Sequence, residues 1–188
     1  MLKALVSTCI VAGCFVSMPA SAAAQEVIHA LTGTVSAINS AASTITVFLD
    51  NGTTGVFQDT AAGKRVVLDK KIAAETTAVN AFNKQGAYAI VFFYGDGDDR
   101  TAVALKNLGA GPFASTVGTV KKFDGHHGLT VVDKTGADQT FKIDGQSLAE
   151  GMYGVVEGAK FDPHKGDHVR VVSANVDGAP TVLFMTEM

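Results

Sequence analysis

Thr32-Gly33-Thr34-Val35 and Val117-Gly118-Thr119-Val120, 85 positions apart, are the two stretches on which the fold turns. Internal repetition decides architecture before any motif does, and more of the chain follows the same rhythm. Thr44-Ile45-Thr46-Val47 returns as Gly128-Leu129-Thr130-Val131 and Phe57 as Phe141, both 84 positions later. Gly86 to Val91 matches Gly151 to Val156 at an offset of 65, and Val103, Asn107 and Pro112 match Val171, Asn175 and Pro180 at 68. Anchors that recur in one order, with the drift confined to connections, indicate a duplicated unit. The boundary falls in the glycine-rich Leu108 to Ala114, giving domains over residues 26–110 and 114–188.

Each unit reads as short strands. Thr44 to Leu49 alternates apolar and hydroxylic residues and ends in Asp50-Asn51-Gly52, whose Asn-Gly pair supplies the positive φ angles of a tight hairpin. Leu129 to Gly136 repeats that plan, and Tyr88 to Tyr94 is an unbroken seven-residue apolar run closed by Gly95-Asp96-Gly97. Short strands separated by Gly/Asp turns predict an all-β chain. The expected form is two tandem, small, five- to six-stranded OB-like barrels, with an SH3-like barrel as the alternative. One helix, over residues 72–83, is expected as an insertion in the first barrel, because Ile72, Val79 and Phe82 fall near one helical face within an alanine-rich stretch. The drop in offset from 84 to 65 places about nineteen extra residues there.

Residues 1–22 read as an export signal. Lys3 precedes an apolar run from Ala4 to Val16, and Ala20-Ser21-Ala22 has the small-residue pattern that precedes cleavage. Val11-Ala12-Gly13-Cys14 offers the alternative of a lipid anchor on Cys14. The expected location is therefore periplasmic or secreted, or lipid-anchored. Cys9 and Cys14 are the only cysteines, so the chain beyond the leader has no thiol for disulfides, redox chemistry or metal binding. Of its 15 Lys and Arg, one is Lys3 of the leader, against 18 Asp and Glu. Without a basic run, nucleic acid is excluded as a partner class. No later apolar stretch reaches the roughly 20 residues of a membrane-spanning helix.

Gly-x-Val, then Leu/Ile-Thr-Val, then an acidic-Gly turn and a valine-rich strand resembles the exported bacterial β-barrel repeats of unknown function. That resemblance implies a fold and a compartment, with no activity attached. The strand plan is also similar to that of periplasmic copper chaperones, which hold Cu(I) with Met, His and Trp. Here there is no Trp, and Asp138 to Asp144 contains no Met, so this resemblance implies architecture without the metal site.

The one chemical constellation is formed by His126 and His127 in the first hairpin of the second unit with His164 and His168 in its last connection. Four imidazoles with neighbouring carboxylates could hold Zn, Cu or Ni, and solvated hairpin tips collect the same residues without any ligand. No G-x-S-x-G, H-E-x-x-H or Ser-x-x-Lys pattern is present, so no catalytic residues and no resident cofactor are expected. The expected function is a non-catalytic binding or structural module of the bacterial cell envelope, its partner a protein or a surface polymer. The alternative is a periplasmic transition-metal-binding protein using the four histidines.

Overall fold

The computed structural model describes residues 26–59, 66, 68–97, 99–109 and 111–188. The expected export signal and cleavage site, and the alternative of an anchor on Cys14, lie outside the described residues. The chain is all-β and forms two sheets.

The first sheet contains β1 (His29–Asn39), β2 (Thr44–Leu49), β3 (Thr54–Asp59), the two-residue β4 (Thr77–Ala78), β5 (Tyr88–Tyr94) and β6 (Thr101–Gly109). Its strand order is β3-β2-β1-β5-β6-β4, and a parallel pairing of β3 with β6 (Gln58 with Thr101) closes five strands into a barrel. The second contains β7 (Ala114–Asp124), β8 (Gly128–Asp133), β9 (Asp138–Phe141), β10 (Leu148–Gly151), β11 (Gly154–Glu157), β12 (His168–Val176) and β13 (Ala179–Glu187). Its order is β11-β10-β13-β12-β7-β8-β9, and a parallel bridge between Lys142 and Thr181 closes the ring. Closure removes the exposed edges that an open meander would leave.

Hydrogen-bond registers match the two barrels residue by residue. β1 bulges between Val35 and Ala37, and β7 between Val120 and Lys122, 85 positions on. The β5–β6 pair shifts between Phe92 and Phe93, and the β12–β13 pair between Val172 and Ser173, 80 positions on. A bulge bends its strand and increases twist, so both sheets curl at these two places, and the β5–β6 pair has one further shift between Tyr88 and Ala89. Gly33 and Gly118 occupy one equivalent position. A Cβ there would lie 2.3 Å from the Phe48 carbonyl oxygen or 2.6 Å from that of Val132, so only glycine lets the two backbones approach this closely.

These registers correct the repeat read from sequence. β5 corresponds to β12 and β6 to β13 at a constant offset of 80. Gly151 to Val156 is instead the end of β10, a turn and most of β11, a hairpin inserted between β9 and β12. Glycine followed by a valine-rich run is shared by any tight turn entering a strand, which is why the motif misaligned. With offsets of 84 and then 80, the first barrel holds only four extra residues, not nineteen.

The helix expected over 72–83 does not form. Its only helical turn is α1 (Lys70–Ala73), N-capped by the Asp69 carboxylate, which accepts from the Lys71 amide at 2.9 Å; β4 and a 3₁₀ turn at Val79–Ala81 follow. Ile72 is buried in the core between the barrels, whereas Val79 and Phe82 are buried inside the first barrel. A continuous helix would put all three on one face, so serving two cores requires the chain to break.

Each barrel has its own core, built on Phe57, Val91 and Leu105 in one and Phe141, Val171 and Met185 in the other. A third core joins them, in which equivalent positions meet: Phe92 and Val172, Ala104 and Phe184. This explains the unbroken apolar run of β5. Ala89, Val91 and Phe93 point into the barrel, and Ile90, Phe92 and Tyr94 point into the junction. Polar links frame the junction. Glu150 accepts from the Ala30 amide at 2.8 Å and lies 2.6 Å from Nδ1 of His29. The Val155 amide donates to the Ile28 carbonyl at 2.8 Å, and Lys71 pairs with Glu157.

Candidate functional site

The four histidines singled out from sequence fall into two pairs at separate connections. In the β7–β8 turn, the Asp124 carboxylate accepts from the amides of His126 (3.0 Å) and His127 (3.2 Å) and lies 2.7 Å from His127 Nδ1. These backbone and imidazole contacts hold Asp124 below the usual carboxylate range. In the Pro163–Asp167 connection, Asp167 accepts from the His164 amide at 2.7 Å, and His168 Nδ1 is 3.4 Å from the Thr119 hydroxyl. His126 lines one shallow cleft, with Lys71 and Glu157, while His164 and His168 line another. Among the described residues no three His, Cys, Asp or Glu side chains group as a metal site. The sequence clustered these histidines because turns concentrate polar residues.

The cleft lined by His164 and His168 has a volume of about 760 Å³. One wall is the turn between β10 and β11, where Met152 is 80% and Tyr153 87% exposed. Behind the turn, Gly154 packs so closely on the strand entering β1 that a Cβ would lie 2.4 Å from the Ile28 carbonyl oxygen. With the bonds to Val155 and Glu150, this contact holds the hairpin against the first barrel.

A second surface emerges from the strand pairings of the first barrel. Side chains alternate across a strand, and Ile45, Val47, Leu49 and Phe57 point inward. Their neighbours form an outer face of three cross-strand rows: Thr34–Phe48–Thr54, Ala37–Thr46–Val56 and Asn39–Thr44–Gln58. None of these nine side chains is ionisable. Phe48 is 54% and Val56 51% exposed, beside a cleft of about 320 Å³ that reaches Arg100. The Arg100 guanidinium sits 5.8 Å from the Phe57 ring centre and 5.7 Å from that of Phe93, so it caps the barrel's apolar end.

The equivalent face of the second barrel has rows Thr119–Val132–Asp138 and Lys122–Thr130–Thr140, with Asp124 opposite Gly128 beyond them. An ion pair between Lys121 and Asp138 at 2.5 Å crosses it. The strand plan is shared and the surface chemistry is not. The signal for the neutral face was present in the alternation Thr44-x-Thr46-x-Phe48, which as a sequence reads simply as one more strand. No protein-family model, curated protein or solved structure matches this chain.

Proposed function

We propose that this chain is an exported module of the bacterial cell envelope, periplasmic or secreted, that binds a surface polymer without catalysing a reaction. In this reading the two halves are OB-like barrels fused after duplication. Three features support it: the shared closing pairs Gln58–Thr101 and Lys142–Thr181, the coincident bulges, and the leader at residues 1–22. Function must be argued from a site and not from a fold. The observation that carries the reading is the outer face of β1, β2 and β3, where Phe48 and Val56 stand half-exposed among hydroxyl and amide side chains with no charge.

That chemistry suits a neutral polysaccharide. Thr, Asn and Gln side chains both donate and accept hydrogen bonds, as sugar hydroxyls do, and the Phe48 ring offers an apolar platform for the C–H face of a sugar ring. Ionic groups would have to be desolvated at such a contact, and the nine side chains of the three rows include none. The face lies on strands 2 and 3 of the barrel, the side on which OB-like barrels present ligands.

Affinity electrophoresis through gels containing a neutral or an acidic polysaccharide tests the reading. The expected result is retardation by the neutral polymer, lost at least tenfold in Phe48→Ala, which removes about 1.5–3 kcal/mol of apolar contact. Absence of retardation, or equal retardation of Phe48→Ala, overturns it.

A further inference from the structure

We infer that the cleft beside the β10–β11 turn is a docking surface for an extended segment of a partner protein that carries both apolar and basic side chains. The site is remote in sequence from the neutral face and does not depend on the polymer reading.

The apolar component is unusually open. Met152, Tyr153 and Met188, three of the eight large apolar side chains exposed among the described residues, line this one cleft, with Val156 and the buried Phe161. Isolated exposed apolar residues are ordinary, but a cluster around a concavity marks an interaction site. Tyr153 is presented on a turn between two glycines, in a hairpin anchored to the first barrel by Gly154, Val155 and Glu150. Binding therefore orders little backbone, which preserves affinity. The two methionines adapt to differing side chains, which suits a segment read for character more than for one shape.

Charge selects the occupant. Asp162, Asp167 and Glu187 line the cleft. Asp162 and Glu187 make no ion pair among the described residues, and Asp167 lies 3.7 Å from Nδ1 of His164. The only Lys or Arg in the lining, Lys160, is turned away to Glu157 at 2.6 Å. Carboxylates alone would be an ordinary solvated rim. Around an apolar cleft they favour a segment with cationic side chains, and Tyr153 adds a ring face for a Lys or Arg. A polyanion is repelled, and a second copy of this chain would bring the same carboxylates face to face.

Fluorescence anisotropy with labelled twelve-residue peptides provides the test: alternating Lys–Leu, Glu–Leu and Lys–Ser. The Lys–Leu peptide is expected to bind at least tenfold more tightly than the other two and to weaken as salt is raised. Affinity should fall at least tenfold in Met152→Ala/Tyr153→Ala and severalfold in Asp162→Asn/Glu187→Gln. It should be unchanged in Asp96→Asn, on a turn of the first barrel, and in Phe48→Ala. The inference fails if the Met152/Tyr153 variant binds as tightly as the wild type, if Asp96→Asn weakens binding as much as the cleft carboxylates do, or if the Glu–Leu peptide is preferred. It also fails if sedimentation shows a dimer that Tyr153→Ala dissociates, which would assign the surface to self-association.

Discussion

On the first barrel, the outer face of the opening three strands is neutral, with Phe48 and Val56 exposed; on the second, Val132 and Thr140 take their places, Lys122 and Asp138 stand where the first has Ala37 and Thr54, and Lys121 pairs with Asp138. Both faces rest on the same ladders, bulges and inward residues. The contrast teaches that a barrel's interior and its closing pairs constrain one set of alternate residues, leaving the other set free to acquire or lose a surface role. The first barrel keeps a neutral, half-apolar face, the one proposed to bind polymer. The second carries charge there, and its two most exposed large apolar side chains, Met152 and Tyr153, lie instead at an inserted hairpin.

The comparison can be broken at its core. Phe57 and Phe141 are buried equivalents, and Phe57→Ala and Phe141→Ala should each destabilise by about 3–5 kcal/mol. Because the barrels share a third core, urea denaturation should show one transition in both variants. Two separated transitions would dissolve the idea of a joined pair.

Next in size is an exchange of surfaces. Ser36→Lys with Thr54→Asp writes the Lys121–Asp138 pair onto the first barrel. Retardation by neutral polysaccharide should fall at least tenfold, while stability moves by no more than about 1 kcal/mol, the range of an exposed ion pair. Retained binding would mean that neutrality is incidental to the face.

The junction supplies a pH test. Burial raises the Glu150 carboxyl above its ordinary value, against the opposing hydrogen bonds from His29 and Ala30. A raised value in the folded state favours the protonated form there. The contribution of Glu150 to stability is therefore fullest below about pH 4.5 and declines as pH rises through the raised value. Relative to Glu150→Gln, the wild-type melting temperature should fall as pH rises above about 4.5; a flat difference would place the carboxylate in water. The smallest effect is expected at the histidine turns. Zn²⁺, Cu²⁺ or Ni²⁺ should give the same melting curve for the wild type and for His126→Ala/His164→Ala, since these two side chains line different clefts. A stoichiometric, histidine-dependent rise would reinstate a metal site.

Much of the fold was legible. Thr-x-Thr alternation, the Asn51-Gly52 turn and the offsets of 85 and 84 report strand content and repetition, because pleat periodicity and turn geometry are local. Alignment beyond Phe57 was not, since Gly86 and Gly151 both precede valine-rich strands that pair with different partners. The helix over 72–83 failed for a related reason. Periodicity reports which residues are apolar without saying that Ile72 and Val79 belong to separate cores.

Residue order alone established the all-β class, the two-unit plan and the acidic, thiol-free character of the chain beyond residue 22, all of which depend on composition and short-range geometry. Tertiary packing decided which strands correspond, that His126 lines a different cleft from His164 and His168, and that Phe48 with Val56 and Met152 with Tyr153 face outward. Exposure and convergence are properties of surfaces assembled from distant segments, and no local pattern carries them.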